Sequence, residues 1–437
     1  MSFDFGGRFL SDFNEITVSN RGFVKGDYFP PPSKSHSFRA LLLSLYSKSS
    51  IIKNLLKSED VDNFVKIIKS LGFSIDKKND VLFIKESRKL IIKENYNFKN
   101  SGTALRFMVT YFSNLKSYNQ KLIIDGDNQL RKRKIKKLLI SLHSLGLDYG
   151  FNTEKEIPFY ITKNIKPGIT HISGKSSQFL SSLLLSLSFL TEQSTVYIDE
   201  LSEKPYVDMT LFHLKRVGVN IKNHNYKKMI INPIRKMEYF EFTVPSDFSS
   251  ATYVILASVL SEGDINIHNL DLNDAQGDKK ILHFLNKLGV EYTYNNNILN
   301  LIGNVKKSAV FDMADTPDML PALVFFLVQY PYYYEFLNLE SIRYKETDRV
   351  SVLYENLINM GINVEMTNSK LRFMGSDSLN NIKIDAHDDH RIIMGASLLG
   401  MKKNKRVKIV NVKNLGSSYP NYFSDIEMLG FFIECSS

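Results

Sequence analysis

Two kinds of helix alternate along the chain. Apolar residues recur at helical spacing in six segments, each of which ends in a glycine and a short alternating strand. VDNFVKIIKSLGFSI, from Val61, is the first such segment, and SVLYENLINMGINVE, from Ser351, is the fifth. A glycine at this place is typical of a left-handed helix C-cap, so the pattern predicts six amphipathic helices in a repeat of about 72 residues. The six glycines are Gly72, Gly146, Gly218, Gly289, Gly361 and Gly430.

Between these segments lie six others, each with a polar start, an apolar stretch and a β-rich tail. Their helices are apolar on almost every side, so we expect them to be buried. Each repeat then contains one buried helix, one amphipathic helix and several short strands. The six segments begin at Ser33, Asn100, Lys175, Ser246, Pro317 and Asp389.

Two proline-containing stretches divide the six repeats into two groups of three. The sequence FPPPS begins at Phe29, and Pro245 lies near the middle of the chain. We predict a first domain over 33–244 and a second over 1–32 plus 245–437, with crossings near 29–33 and 244–247. The predicted fold class is α/β (α+β). The length of 437 residues is too great for one ordinary core and by itself suggests two or three domains.

The composition is that of a globular protein, with 43% hydrophobic and 23% charged residues. The apolar runs are too short to span a bilayer, and the first residues do not resemble a signal peptide, so we predict a cytoplasmic protein. Cys435 is the only cysteine, which excludes a disulfide framework and a cysteine-rich metal site. A net charge of +10 is compatible with nucleic acid, anionic membranes or anionic small molecules and does not choose among them.

The buried helices begin with polar turns, and a helix N-terminus is a natural anion site. The alternative for any one start is ordinary capping by serine, asparagine or aspartate. Recurrence at equivalent places in a repeat favours a functional interpretation. The candidate residues are Lys34, Ser35, Arg39, Asn100, Gly102, Thr103, Arg106, Ser176, Ser177, Gln178, His390 and Arg391.

A second group of charges follows the strand-like YYEFLNL. In RYKETDRV, Glu346 lies among Lys345, Arg349 and Arg343, where a carboxylate stays ionised yet exchanges protons with its neighbours. A solvated helix face is the usual explanation of such a run. Asp318 lies at a helix start, where a cap and a functional carboxylate are equally good interpretations.

The motifs SKSHSFRA, NSGTALR, SSQFLSSLL, KPYVD, SSATY, QGD, PDML, KETDR and DHR occur in this order from about Ser33 to Phe423. This ordered set resembles the EPSP synthases, the 3-phosphoshikimate 1-carboxyvinyltransferases. The resemblance implies a two-domain inverse α/β barrel in which each domain has three βαβαββ units. It implies transfer of the enolpyruvyl group of phosphoenolpyruvate to the 5-hydroxyl of shikimate 3-phosphate, with no metal or organic cofactor. We expect a monomer that binds neither nucleic acid nor membranes.

The resemblance also assigns roles to individual residues. Asp318 would take the 5-hydroxyl proton with the help of Lys345, Glu346 would handle the proton at the methylene carbon, and Lys34 would touch both substrates. The implied shikimate 3-phosphate contacts are Lys34, Ser35, Arg39, Ser176, Ser177, Gln178, Tyr206, Asp318 and Lys345. The implied phosphoenolpyruvate contacts are Lys34, Asn100, Gly102, Thr103, Arg133, Gln178, Arg349, His390 and Arg391.

Several positions depart from the family pattern. Ser417 replaces a lysine that contacts phosphoenolpyruvate, Glu203 replaces a serine, Ser341 an asparagine and Phe107 a proline. We therefore predict a weakened phosphoenolpyruvate site. Gly102 lies where alanine often confers glyphosate tolerance, which predicts sensitivity to that inhibitor.

Three alternatives remain open from the sequence. UDP-N-acetylglucosamine enolpyruvyl transferase is similar in fold but carries a loop cysteine, a role in which Cys435 cannot be placed. A homologue that binds shikimate 3-phosphate without catalysis is suggested by the departures. A nucleic-acid-binding protein is suggested only by the charge.

Overall fold

Helices and strands alternate through the whole described part of the chain. The computed structural model describes residues 13–87, 89–115, 121–379, 382–413 and 418–436. The helices in these ranges are α1 Lys34–Ser44, α2 Glu59–Ser70, α3 Gly102–Ser113, α4 Lys136–His143, α5 Ser177–Leu187, α6 Lys204–Arg216, α7 Phe248–Ser261, α8 Lys280–Leu288, α9 Leu320–Leu327, α10 Arg349–Asn359, α11 His390–Ser397 and α12 Tyr422–Met428.

The strands in the same ranges are short. They are β1 Glu15–Ser19, β2 Lys25–Tyr28, β3 Ser47–Lys53, β4 Ser74–Lys78, β5 Val81–Lys85, β6 Asn95–Asn97, β7 Leu122–Asp125, β8 Tyr149–Phe151, β9 Phe159–Ile161, β10 Ile169–Ile172, β11 Ser194–Ile198, β12 Asn220–His224, β13 Lys228–Asn232, β14 Met237–Thr243, β15 Asp264–His268, β16 Glu291–Asn295, β17 Ile298–Ile302, β18 Ala309–Asp312, β19 Tyr333–Leu337, β20 Val364–Met366, β21 Lys370–Met374, β22 Ile382–Asp385, β23 Arg406–Val410 and β24 Phe432–Ser436.

The predicted alternation of buried and amphipathic helices is confirmed. All eight residues of α9 are buried, whereas α8 buries one face and exposes the other. The six repeat glycines all have positive φ, from 75° to 108°. Glycine adopts this region without the steric cost that a Cβ atom brings, which explains why it ends each amphipathic helix.

The described residues form six four-stranded sheets that follow one plan. In the sheet of order β10-β11-β13-β12, β10 and β11 are parallel and the other two pairings are antiparallel. Helix α5 connects β10 to β11, and α6 connects β11 to β12. Each repeat is therefore a βαβαββ unit.

The chain forms two compact units. One is 32–244, and the other combines the described residues of 1–31 with 245–437. In the first unit β14 pairs with β3, so the end of the unit supplies a strand to the sheet near its beginning. In the second unit β1 and β2 join two different sheets.

Each unit has its own hydrophobic core, built on the buried helices. In 32–244 the helix α3 packs against α5 and α1, and in the other unit α9 packs against α11 and α7. Within each unit the buried helices thus pack against one another in the core. No helix within the described ranges combines the length and apolar character that crossing a membrane requires.

Candidate active site

In the unit 32–244, Arg39 crosses from α1 to the neighbouring helices. Its Nε donates to Thr210 Oγ1 at 2.8 Å, and its Nη2 donates to the carbonyl of Tyr206 at 2.7 Å. Nη1 donates to the carbonyl of Ser35 at 2.8 Å. Burial lowers the pKa of Arg39 to about 9, so the guanidinium keeps its charge at neutral pH.

Two more guanidinium groups lie at the start of α3. A Cβ atom on Gly102 would lie 2.8 Å from Nη1 of Arg133 and 3.2 Å from Nη1 of Arg106. Arg106 also donates a hydrogen bond to Oε1 of Gln178, on α5. The Oδ1 atom of Asn100 is buried and has no hydrogen-bond partner among the described residues. Because Gly102 has no Cβ atom, the guanidinium groups can approach the helix N-terminus closely.

The start of α5 carries a buried hydroxyl and a buried carboxylate. Ser177 Oγ donates to Oε2 of Glu203 at 2.6 Å. Ser176 is the N-cap of α5, yet its side chain makes no capping hydrogen bond. At the start of α1, Lys34 Nζ pairs with Oδ2 of Asp60 at 2.5 Å. These helix starts are the predicted ones.

In the other unit, Asp318 lies among three cations. Arg349 Nη1 is 2.8 Å from Asp318 Oδ1, and Lys345 Nζ is 3.8 Å from the same oxygen. Arg391 Nη2 is 3.8 Å from Asp318 Oδ2. Burial alone would raise the pKa of Asp318, but the charges of Lys345, Arg391 and Arg349 outweigh it and hold this pKa well below its usual range.

Arg349 joins three carboxylates. Besides Asp318, its Nη2 contacts Oε2 of Glu346 at 2.6 Å and its Nε contacts Oδ2 of Asp389 at 2.8 Å. Arg349 and Asp389 are almost fully buried. Burial works against the charge of Arg349, but the three carboxylates raise its pKa above the usual value. Asp389 also caps α11 by accepting from the backbone N–H of Arg391 at 2.9 Å.

Asp278, in the QGD motif, is a site residue that the sequence reasoning missed. Its Oδ1 is buried without a hydrogen-bond partner among the described residues. Burial raises the pKa of Asp278 to about 7, and the nearby charge of Asp318 adds to this effect. The sequence did contain a sign of this residue, because QGD was one of the ordered motifs. The position of QGD among those motifs, however, did not indicate a role for its aspartate.

The remaining predicted residues differ in how far the structure defines their surroundings. Tyr206 and Ser35 contact Arg39 through backbone carbonyls. Burial lowers the pKa of His390 to about 4, which makes it neutral at pH 7. For Thr103, a partly buried residue in the first turn of α3, the structure adds only its position.

Three of the four departures lie in the described residues. Ser341 has a buried hydroxyl without a hydrogen-bond partner there. The ring centroid of Phe107 is 5.6 Å from Arg39 Cζ, and Glu203 accepts from Ser177 as described above. Ser417 lies outside the described residues. Nearby Lys413 donates its backbone N–H to Oδ1 of Asp388.

Comparison with known proteins decides the family. The profile of the EPSP synthases (3-phosphoshikimate 1-carboxyvinyltransferases) matches residues 18–426. This chain belongs to the EPSP synthase family. A 3-phosphoshikimate 1-carboxyvinyltransferase of Ruminiclostridium cellulolyticum is 31% identical over 94% of this chain and 97% of its own length. One of Methanosarcina mazei is 33% identical over 93% of this chain and 96% of its own length.

A solved structure agrees with this assignment. The EPSP synthase of Acinetobacter baumannii superposes with a TM-score of 0.80 at 21% identity, over 97% of this chain and all of that one. This likeness confirms the predicted fold class of an EPSP synthase, the two-domain inverse α/β barrel.

Proposed function

We propose that this chain transfers the enolpyruvyl group of phosphoenolpyruvate to the 5-hydroxyl of shikimate 3-phosphate and releases phosphate. The observation that carries the proposal is the arrangement of Asp318, Lys345, Arg349 and Arg391, one carboxylate held by three cations. Such a group binds anions and moves protons, which are the two requirements of this reaction. Membership of the family and the names of the similar relatives support the same reaction.

In the proposed addition step, the substrate hydroxyl oxygen bonds to C2 of phosphoenolpyruvate while C3 gains a proton. Asp318 accepts the hydroxyl proton, and Glu346 exchanges the proton at C3. In the elimination step the C–O bond to phosphate breaks, and the methyl group that forms from C3 returns one proton. The leaving phosphate takes the electron pair of the broken bond, and the proton that Asp318 accepted passes to this phosphate or to water, so atoms and charges balance without a cofactor.

The environment of Asp318 adapts it to this task. Its low pKa makes the carboxylate a weak base as long as the charges of Lys345, Arg349 and Arg391 act on it alone. An anionic substrate on the two arginines shares these positive charges and therefore raises the basicity of Asp318. The base is strongest when phosphoenolpyruvate is bound, which couples proton transfer to substrate binding.

Candidate anion contacts also lie in the unit 32–244. We propose that Arg39, Lys34 and the start of α5 hold shikimate 3-phosphate, and that Arg133 and the start of α3 hold phosphoenolpyruvate. The guanidinium of Arg133 beside Gly102 supports an anion at that helix start. Each charge-assisted hydrogen bond contributes about 1.5–3 kcal/mol.

A phosphate-release assay with both substrates, combined with detection of the enolpyruvyl product, tests the proposal. We expect release only when both substrates are present, and none when UDP-N-acetylglucosamine replaces shikimate 3-phosphate. Binding of shikimate 3-phosphate without turnover would instead indicate a homologue without catalysis. The variant Ser417→Lys, in the same assay, is expected to lower the KM for phosphoenolpyruvate, and an unchanged KM would contradict the weakened site.

We further propose that the chain acts as a monomer in the cytoplasm. Light scattering on the purified protein would contradict the first part if it gave twice the chain mass of 50.2 kDa. Fractionation of the source cells tests the second part.

A further inference from the structure

Glu203 lies where two loops of one sheet meet. Strands β10 and β11 are parallel, so their carboxyl ends lie at the same edge. Helix α5 starts at Ser177 after β10, and α6 starts directly after Glu203, which follows β11. A Cβ atom on Gly174 would lie 2.3 Å from the carbonyl oxygen of Glu200, so the two loops are in close contact. This geometry brings the Glu203 side chain to the start of α5.

The carboxylate of Glu203 is buried and is held by a hydrogen bond from Ser177. Glu203 is only 5% exposed, and its backbone has φ 59°, a region that glutamate rarely adopts. It accepts the hydroxyl hydrogen of Ser177 at 2.6 Å, and Ser177 is itself 1% exposed. A serine hydroxyl has a single hydrogen to donate. While Ser177 donates to Glu203, it has none for another acceptor.

A phosphate group bound here would need the hydroxyl hydrogen of Ser177, which Glu203 already accepts. Its oxygens accept hydrogen bonds from hydroxyls and helix N–H groups, and it is negative at neutral pH. Glu203 therefore competes for the Ser177 hydrogen and also opposes the phosphate with a buried charge, where the protein screens repulsion less than water does. Both effects act on the phosphate of a substrate and not on its hydroxyl groups.

We propose that Glu203 is a specificity-determining residue that weakens binding of the substrate phosphate at the start of α5. The inference rests on the proposed function, because it takes Ser176 and Ser177 as the contacts of that phosphate. Its consequence is a reduced preference for shikimate 3-phosphate over unphosphorylated shikimate. Removing the Glu203 charge restores that preference.

Calorimetric titration of the full chain with each of these two ligands tests the proposal. In Glu203→Gln and Glu203→Ser the ratio of the shikimate Kd to the shikimate 3-phosphate Kd is expected to rise about tenfold or more, the change that one charge-assisted hydrogen bond supplies. Glu203→Asp, which keeps the charge, is expected to stay closer to the wild-type ratio than either of them. Glu200→Gln is the matched control, because it removes an exposed charge from the same loop and should leave the ratio unchanged.

Steady-state kinetics give an independent readout. The KM for shikimate 3-phosphate should fall in Glu203→Gln, while the KM for phosphoenolpyruvate stays unchanged. An unchanged binding ratio in both neutral variants, or weaker binding of shikimate 3-phosphate, would overturn the proposal. Failure of the proposed function is a separate result, since wild type would then release no phosphate while the binding ratio still responds or fails to respond to Glu203.

Discussion

The two units hold their charged residues in different ways. In 32–244, the described partners of Arg39 are neutral: a threonine hydroxyl, a serine hydroxyl and two backbone carbonyls. In the other unit, Arg349 contacts three carboxylates, and one of these, Asp318, also lies near Lys345 and Arg391. A cation with neutral partners keeps its full positive potential for a ligand. In a network of opposite charges, by contrast, neighbouring groups shift one another's pKa values, as they do for Asp318 and Arg349.

This difference suggests a division of labour in the proposed reaction. In the unit 32–244, Arg39 is suited to attract anions, because no carboxylate among its described partners offsets its charge, whereas Lys34 pairs with Asp60. The other unit is suited to move protons, because its carboxylates are tuned by adjacent cations. Three predictions contrast the two units or test this proton chemistry, and a fourth tests the anion site alone.

The largest effect is expected for Asp318→Asn. The amide keeps the shape of the side chain but cannot accept the hydroxyl proton, so kcat should fall by about 10²–10⁴-fold. The KM for shikimate 3-phosphate should change much less. The phosphate-release assay measures both, with the exposed Asp377→Asn as control. A kcat within tenfold of wild type would exclude Asp318 as the base.

Arg349→Met and Arg39→Met compare the stability of the two networks. Loss of Arg349 leaves the buried Asp389 without its main counter-charge, which costs about 3–5 kcal/mol of unfolding free energy. Loss of Arg39 leaves only neutral acceptors unpaired, at about 1–3 kcal/mol. Hydrogen exchange in increasing urea, measured on peptides of each unit, gives both values. Equal losses would contradict the contrast between the units.

The fold was predictable because its signals are local and repeated. Six glycines at helix ends and an alternation of apolar and amphipathic segments were enough to predict the repeat and the two kinds of helix. The pairing of β1 and β2 with strands far along the chain was not predictable in this way. β1 and β2 join sheets whose other strands lie more than 200 residues away, and pairing at that separation leaves no local pattern.

The candidate site was predictable by residue type but not by partner. The sequence indicated Asp318, Arg349 and Arg391 at helix starts, and the structure brings these three together. It did not indicate Asp278, because a buried carboxylate looks the same in sequence as a capping one. Nor did it indicate that Glu203 reaches Ser177, since that contact depends on the packing of two loops.

The substitution Asp278→Asn should remove one contribution to the pH dependence of the unfolding free energy. The folded state holds a proton on Asp278 up to a pKa of about 7, whereas the unfolded chain releases it near 4. Asp278 therefore stabilises the fold below pH 4, and this contribution is lost as the pH rises to 7. The stability of the variant relative to wild type should rise by up to roughly 4 kcal/mol between pH 4 and 8.

Urea unfolding at several pH values measures this difference. The contribution of His390 has the opposite sign, because burial lowers its pKa to about 4, but it is common to both proteins and cancels. Asp377→Asn, at an exposed position, should differ from wild type by the same amount at every pH. A pH-independent difference for Asp278→Asn would mean that the buried carboxylate is ionised throughout.

The smallest effect is expected for Gly102→Ala. The new methyl group would lie 2.8 Å from Nη1 of Arg133, so this guanidinium and that of Arg106 must shift by a few tenths of an ångström. Because both are ends of flexible side chains, the fold should tolerate the change, while the KM for phosphoenolpyruvate rises by about tenfold, equivalent to one weakened charged contact. The KM for shikimate 3-phosphate should stay the same. Gly168→Ala meets only an ordinary contact at 3.4 Å and is the control. Equal rises in both KM values would show that the start of α3 does not distinguish the two anions.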